Sequence, residues 1–261
     1  MPRLSRPSPP PVVDALFDTL AAWQGDRPWG RVLDAGTGEH SLRWLLGQAP
    51  ERVTAVTGAR PRQVELQRDL GQWMLPSDRI LVGNWADPEL LRDEVFEVVL
   101  ADYLLGAMDG FAPYFQDRLF ARLRPHVGGR LYAVGLAPYP DSGGGEAGDL
   151  IREIARLRDA CILLAGHRCY REYPLDWVQR HVAAAGLRVL RAESRPIVYR
   201  ERFVDGQLDV CLQKLPLMAD RAVAEALRGQ VESLRLRARA ACNRLDGLRF
   251  GEDWLLEAAP T

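Results

Sequence analysis

Lysine is almost missing from this chain of 261 residues: among 34 basic side chains Lys214 is the one lysine, and the rest are arginine. We attach no function to that bias. The 35 acidic residues bring the net charge to −1, so no global positive field invites nucleic acid. Cysteine is also scarce. Cys161, Cys169, Cys211 and Cys242 lie too far apart for a C-x-x-C metal or redox motif, and free thiols in a reducing compartment are expected. No apolar run approaches the ~20 residues that a membrane-spanning helix needs. The opening MPRLSRPSPPP lacks an apolar stretch, so it reads as neither signal peptide nor anchor. A cytoplasmic protein with a disordered extension at 1–11 is expected. There is no internal repeat and no trio of carboxylates suited to a metal.

The composition, 47% hydrophobic and 26% charged, is that of a soluble globular protein. The length fits one core, hence a single domain over 12–261. Short apolar, β-branched runs near 31–35, 52–57, 79–82, 95–101 and 129–136 alternate with helical stretches around 40–48, 61–72 and 113–124, which predicts an α/β parallel sheet. The rhythm breaks at Pro138-Tyr139-Pro140-Asp141-Ser142-Gly143-Gly144-Gly145, a loop by composition. Helical patterns follow, then a strand at 187–199, a helical stretch at 201–247 and a last strand at 250–260. Helical insertions are therefore expected at about 141–180 and 201–247. The apolar stripe Val223, Leu227, Val231, Leu234, Ala238 and Leu245 packs on the domain, or else forms a lid or a homodimer surface.

In an open parallel sheet, ligands bind beyond the carboxyl ends of the strands, and the first β–α turn is the usual place. The stretch VLDAGTGEHSLRWL at 32–45 supplies such a turn, without the third glycine of a dinucleotide fingerprint and with His40 close behind the second glycine. Gly36 and Gly38 let the backbone approach a ligand, and the helix start beyond them offers N–H groups to an anion. Asp34, just before the glycines, discriminates between ligands. A pyrophosphate would meet a like charge there in a partly desolvated cleft. A ligand with both a carboxylate and a cationic group fits better.

Asp34-Ala35-Gly36-Thr37-Gly38 after a first strand resembles motif I of the class I S-adenosylmethionine-dependent methyltransferases. GNW at 83–85 resembles that family's adenine-contacting segment, and VVLADYL at 98–104 its fourth-strand motif facing the methyl group. The resemblance implies a Rossmann-like, mostly parallel seven-stranded sheet with an antiparallel last strand, S-adenosylmethionine as cofactor, and cofactor contacts from Asp34, Gly36, Thr37, Gly38, His40, Thr57, Asn84, Trp85 and Asp102. Two positions depart from the family. Thr57 stands where a ribose-binding acid is usual, and Asn84 where the family has an acid at adenine; the amide can still both accept from and donate to the base.

The sulfonium leaves as a neutral thioether, so the reaction demands alignment and exclusion of water rather than a general acid. Asp102 could accept a proton from a nitrogen or oxygen nucleophile, and Tyr103 could wall the acceptor pocket by cation–π attraction. The acceptor set expected at the pocket mouth is Tyr103, Tyr139, His167, Tyr170, Arg171 and Tyr173. His126 and His181 read as structural. A small-molecule methyltransferase is the first reading. Alternatives are a protein or RNA methyltransferase, an NADP-dependent oxidoreductase using Arg60 and Arg62, and a non-catalytic protein that retains the nucleoside site.

Overall fold

The computed structural model describes residues 6–261. Strands with unbroken apolar runs are covered on both faces, as β1 (Arg31–Asp34), β2 (Arg52–Thr57) and β4 (Phe96–Asp102) largely are; with them stand β3 (Arg79–Val82), partly exposed, and β5 (Val127–Leu136), buried over its second half. Between and around them run α1 (Ala15–Gln24), α2 (Glu39–Gly47), α3 (Arg60–Leu70), α4 (Leu104–Phe111) and α5 (Gln116–Leu123). Then follow α6 (Gly145–Leu164), α7 (Leu175–Ala184), β6 (Leu187–Tyr199), α8 (Glu201–Lys214), α9 (Arg221–Leu245) and β7 (Leu248–Pro260). Two helices, α1 and α4, are additions to the sequence reading. Among the described residues no helix is long and apolar enough to cross a membrane.

The strand order is β3-β2-β1-β4-β5-β7-β6. β1 pairs in parallel with both β2 and β4, so the chain reverses its direction of growth between β1 and β4. That crevice is the topological switch point. The register sets Asp34 opposite Leu100, and Asp102, two residues further along β4, opposite Val134. The sheet is mixed, with the antiparallel strands last in the chain, as the resemblance implies.

Two compact units divide the described residues: those up to 135 with 172–193 and 254–261 form the first, and 136–171 with 194–253 the second. In the first, Phe17, Leu20 and Trp23 of α1 pack with Val32, Val98, Tyr132 and Leu255, while Leu42 and Leu46 of α2 pack with Val53, Leu66, Leu70 and Ile80. The second has its own core of Leu150, Ile154 and Cys161 from α6, Val204, Leu208 and Cys211 from α8, and Val231, Leu234 and Ala238 from α9. Those three α9 residues belong to the stripe that sequence alone leaves open between core, lid and dimer surface. The helical stretch read continuously over 201–247 is broken at Leu215–Leu217, where Pro216 removes a backbone donor.

The expectation of a disordered extension fails at Arg6, while residues 1–5 lie outside the described residues. The Arg6 guanidinium donates to both carboxylate oxygens of Asp78, at 2.5 and 3.0 Å, and to Pro50 O. Asp78 also accepts from Val53 N and Leu75 N, so the arginine completes a buried junction already tied to β2.

Candidate functional site

The glycine loop is pinned from three sides. Ala35 N donates to Leu100 O at 2.8 Å, carrying the β1–β4 ladder one residue past the strand. Thr37 N donates to Val56 O at 2.8 Å, and Trp85 Nε1 donates to Ala35 O at 2.6 Å. α2 then starts with Gly38 in an extended conformation, its N–H donating to Ser41 Oγ. A side chain at Gly36 would force the buried Leu104 aside, because a Cβ there would lie 2.8 Å from Leu104 Cδ1 and 3.0 Å from its Cβ.

Asp34 is fully buried at the end of β1. Ser41 Oγ donates to its Oδ2 at 2.9 Å, and among the described residues Oδ1 has no hydrogen-bond partner. Burial pushes the carboxyl up from 3.8 to about 6; the Ser41 hydroxyl pulls the other way through its bond, and the Thr37 hydroxyl and the Gly36 N–H do so from nearby without reaching hydrogen-bond geometry. A buried carboxylate with an open oxygen is costly unless a donor or cation completes it. The site is thus prepared for a positively charged or hydrogen-bonding group beside the glycine turn.

The second half of the cleft, at the ends of β2 and β3, is arranged differently. Thr57 is buried, and its hydroxyl accepts from Ala59 N at 3.5 Å. A Cβ on Gly58 would collide with the Phe111 ring, so the aromatic ring at the end of α4 rests directly on that glycine. Asn84 donates from Nδ2 to Phe111 O at 2.7 Å and accepts at Oδ1 from Ala86 N at 2.9 Å. Trp85 is only 2% exposed, and its indole N–H is spent on the loop. This residue, expected among the cofactor contacts, has its ring against His126 and the Arg122 guanidinium.

His40 lies on the first turn of α2 but is drawn to α1: its Nε2 meets Asp14 Oδ2 at 2.9 Å and its ring stacks on Phe17. Asp102 closes β4, half-buried. Tyr103 follows with φ 44°, a left-handed conformation that is unusual for a bulky residue, and its N–H donates to Val134 O. His126 is held as a neutral ring, Nδ1 donating to Glu94 O and Nε2 accepting from Arg122, and burial lowers its affinity for a second proton.

The expected acceptor set is divided. Tyr103 and Tyr173 lie in the first unit, where Tyr173 packs on Trp177 with ring centres 4.2 Å apart. Tyr139, His167, Tyr170 and Arg171 lie in the second. There Tyr139 Oη and Tyr199 Oη are 2.6 Å apart, and His167 Nδ1 accepts from Lys214 Nζ at 2.9 Å. Arg60 and Arg62, the arginines of the NADP reading, bond to Gln63 and Glu65 of their own helix.

Three residues at the site, Ser41, Phe111 and Glu172, escape the sequence reading. Ser41 carries a usable signal, a hydroxyl three residues beyond a glycine at a helix start. Glu172 brings its carboxylate against Gly106 in the first turn of α4, where a Cβ would meet Oε2 at 2.5 Å. No local pattern announces that approach.

No known family profile matches the chain, and no curated protein matches it in sequence. Solved structures do match in fold. A provisionally assigned methyltransferase from Bacillus halodurans C-125 superposes with a TM-score of 0.61 at 15% identity, over 95% of this chain and 100% of that one. An S-adenosylmethionine-dependent methyltransferase from Geobacter sulfurreducens, in complex with S-adenosyl-L-homocysteine, gives 0.54 at 14%, over 98% and 94%. The [4+2]-cyclase SpnF gives 0.56 at 17%, over 94% and 80%. Identities this low establish the fold, and the cyclase shows that the fold does not dictate the reaction.

Proposed function

We propose that this protein binds S-adenosylmethionine at the first glycine loop and transfers its methyl group to a small-molecule nitrogen or oxygen nucleophile. The observation that carries the reading is Asp34: a fully buried carboxylate at the switch point, one oxygen unpartnered among the described residues, beside a glycine where a side chain would press on Leu104. S-adenosylmethionine, when bound, supplies an electrophilic methyl carbon on a sulfonium whose departure needs no proton.

The residues that would hold it are Asp34 toward the ammonium, the N–H groups at the start of α2 toward the carboxylate, and Thr57 and Asn84 toward the nucleoside. Asp102 takes the proton released by the nucleophile, and Tyr103 orients the acceptor beside it. Tyr173, in the same unit as the glycine loop, is a further candidate for acceptor contact. Near-zero net charge favours a small acceptor over RNA.

The test is a screen of metabolite pools with S-adenosylmethionine labelled in the methyl group, run with wild type and Asp34→Ala. Label should move to a small molecule with wild type only. Transfer to protein or RNA alone would replace the acceptor class, and equal transfer by the variant would remove Asp34 from the account.

A further inference from the structure

We infer that Phe111, at the end of α4, is a gate over the nucleoside half of the cofactor site and that Asn84 is its latch. The inference rests on the cofactor reading above. Three observations meet at this place. First, the family's ribose-binding acid is replaced by Thr57, and the adjoining Gly58 lies so closely under the Phe111 ring that a Cβ would collide with it. Second, the amide nitrogen of Asn84, a donor suited to a purine ring nitrogen, is bonded instead to Phe111 O at 2.7 Å. Third, the carrier of the ring is built to yield. The segment LLGAMDGF places Gly106 and Gly110 in an eight-residue helix, which weakens it, and left-handed tyrosines flank it, Tyr103 with φ 44° and Tyr114 with φ 67°.

The body of α4 is anchored. Leu105 and Met108 are buried, and Asp109 Oδ1 accepts from Gln116 Nε2 at 3.2 Å. Phe111 itself is 44% exposed, so its ring can turn outward without exposing a core. The movement required is therefore confined to the last turn and the ring. A nucleoside entering between Thr57 and Asn84 competes with Phe111 O for the Asn84 amide, and the ring must leave Gly58 in the same step. Bond exchange and ring displacement are then one event, so purine recognition opens the gate.

The experiment follows S-adenosylhomocysteine binding to the full chain, by calorimetry and stopped-flow tryptophan fluorescence, in wild type, Phe111→Ala and Asn84→Asp. Amide hydrogen exchange over 103–114 is measured in each protein. Phe111→Ala should associate roughly tenfold faster and bind roughly tenfold tighter, because no ring has to be displaced. Asn84→Asp, which keeps an acceptor but loses the donor to Phe111 O, should exchange faster over the last turn of α4 before any ligand is added. In wild type the ligand should raise exchange over that turn. If wild type and Phe111→Ala bind with the same rate and affinity, or Asn84→Asp leaves exchange unchanged, the gate is wrong while the cofactor reading stands. If neither protein binds S-adenosylhomocysteine, both fail together.

Discussion

Replacing Asp34 by asparagine should make the protein more tolerant of neutral pH and less able to hold its ligand. In the folded chain the carboxyl titrates at about 6 rather than 3.8, because it is fully buried and only partly bonded. A raised proton affinity means that, between those two values, the folded state holds a proton that the unfolded state has released. Stability from this group is therefore intact below about pH 4, falls as pH rises, and is fully lost above about 6. At ~1.4 kcal/mol for each tenfold change in proton affinity, the loss amounts to about 3 kcal/mol. The introduced amide does not titrate, so urea unfolding of wild type and Asp34→Asn between pH 4 and 8 should give curves whose difference grows by about that amount across pH 4–6 and then stays constant. Other carboxylates cancel in the difference. A difference independent of pH would refute the burial argument. The same change should weaken S-adenosylhomocysteine binding by about a hundredfold, since a cationic group would then meet a neutral amide.

Other substitutions probe the supports. Ser41→Ala removes the hydroxyl that donates to Asp34 Oδ2 and accepts from Gly38 N, and should cost about 2 kcal/mol in urea unfolding at unchanged m-value; a loss below about 0.5 kcal/mol would mean that the loop is held otherwise. Arg6→Ala uncovers the Asp78 carboxylate, whose side chain is completely buried, and should cost about 3 kcal/mol. Unchanged stability would place the amino-terminal segment outside the folded unit. Asp102→Asn should leave S-adenosylhomocysteine affinity within about twofold while lowering turnover by about a hundredfold or more, and full turnover would end its role as proton acceptor.

The central parallel strands are legible because a strand buried on both faces reads as an unbroken apolar, β-branched run; β2 falls on 52–57 as expected, and β4 within a residue of its expected bounds. The motif around Asp34 is legible for a similar reason, since a turn that excludes side chains leaves glycines in the sequence. α1 escapes the sequence reading although Asp14, which accepts from Leu16 N at 2.8 Å, marks its start; the prolines before it point to disorder instead. α4 escapes it because two glycines in eight residues argue against a helix, and tertiary contacts at Leu105 and Met108 outweigh that propensity. Trp85 shows a different limit. A tryptophan beside a cofactor motif has the same letter whether it faces a base or pins a loop, and only the distance from its Nε1 to Ala35 O decides. Phe111 and Gly58 lie far apart along the chain, and no local pattern encodes their contact.

Titration calorimetry of the wild-type chain with S-adenosylhomocysteine and, separately, with NADPH tests the central claim most directly. An unpartnered carboxylate oxygen at the glycine turn predicts saturable binding of S-adenosylhomocysteine, stronger above pH 6 than below it, and no heat with NADPH. Tight binding of NADPH with no response to S-adenosylhomocysteine would contradict the account.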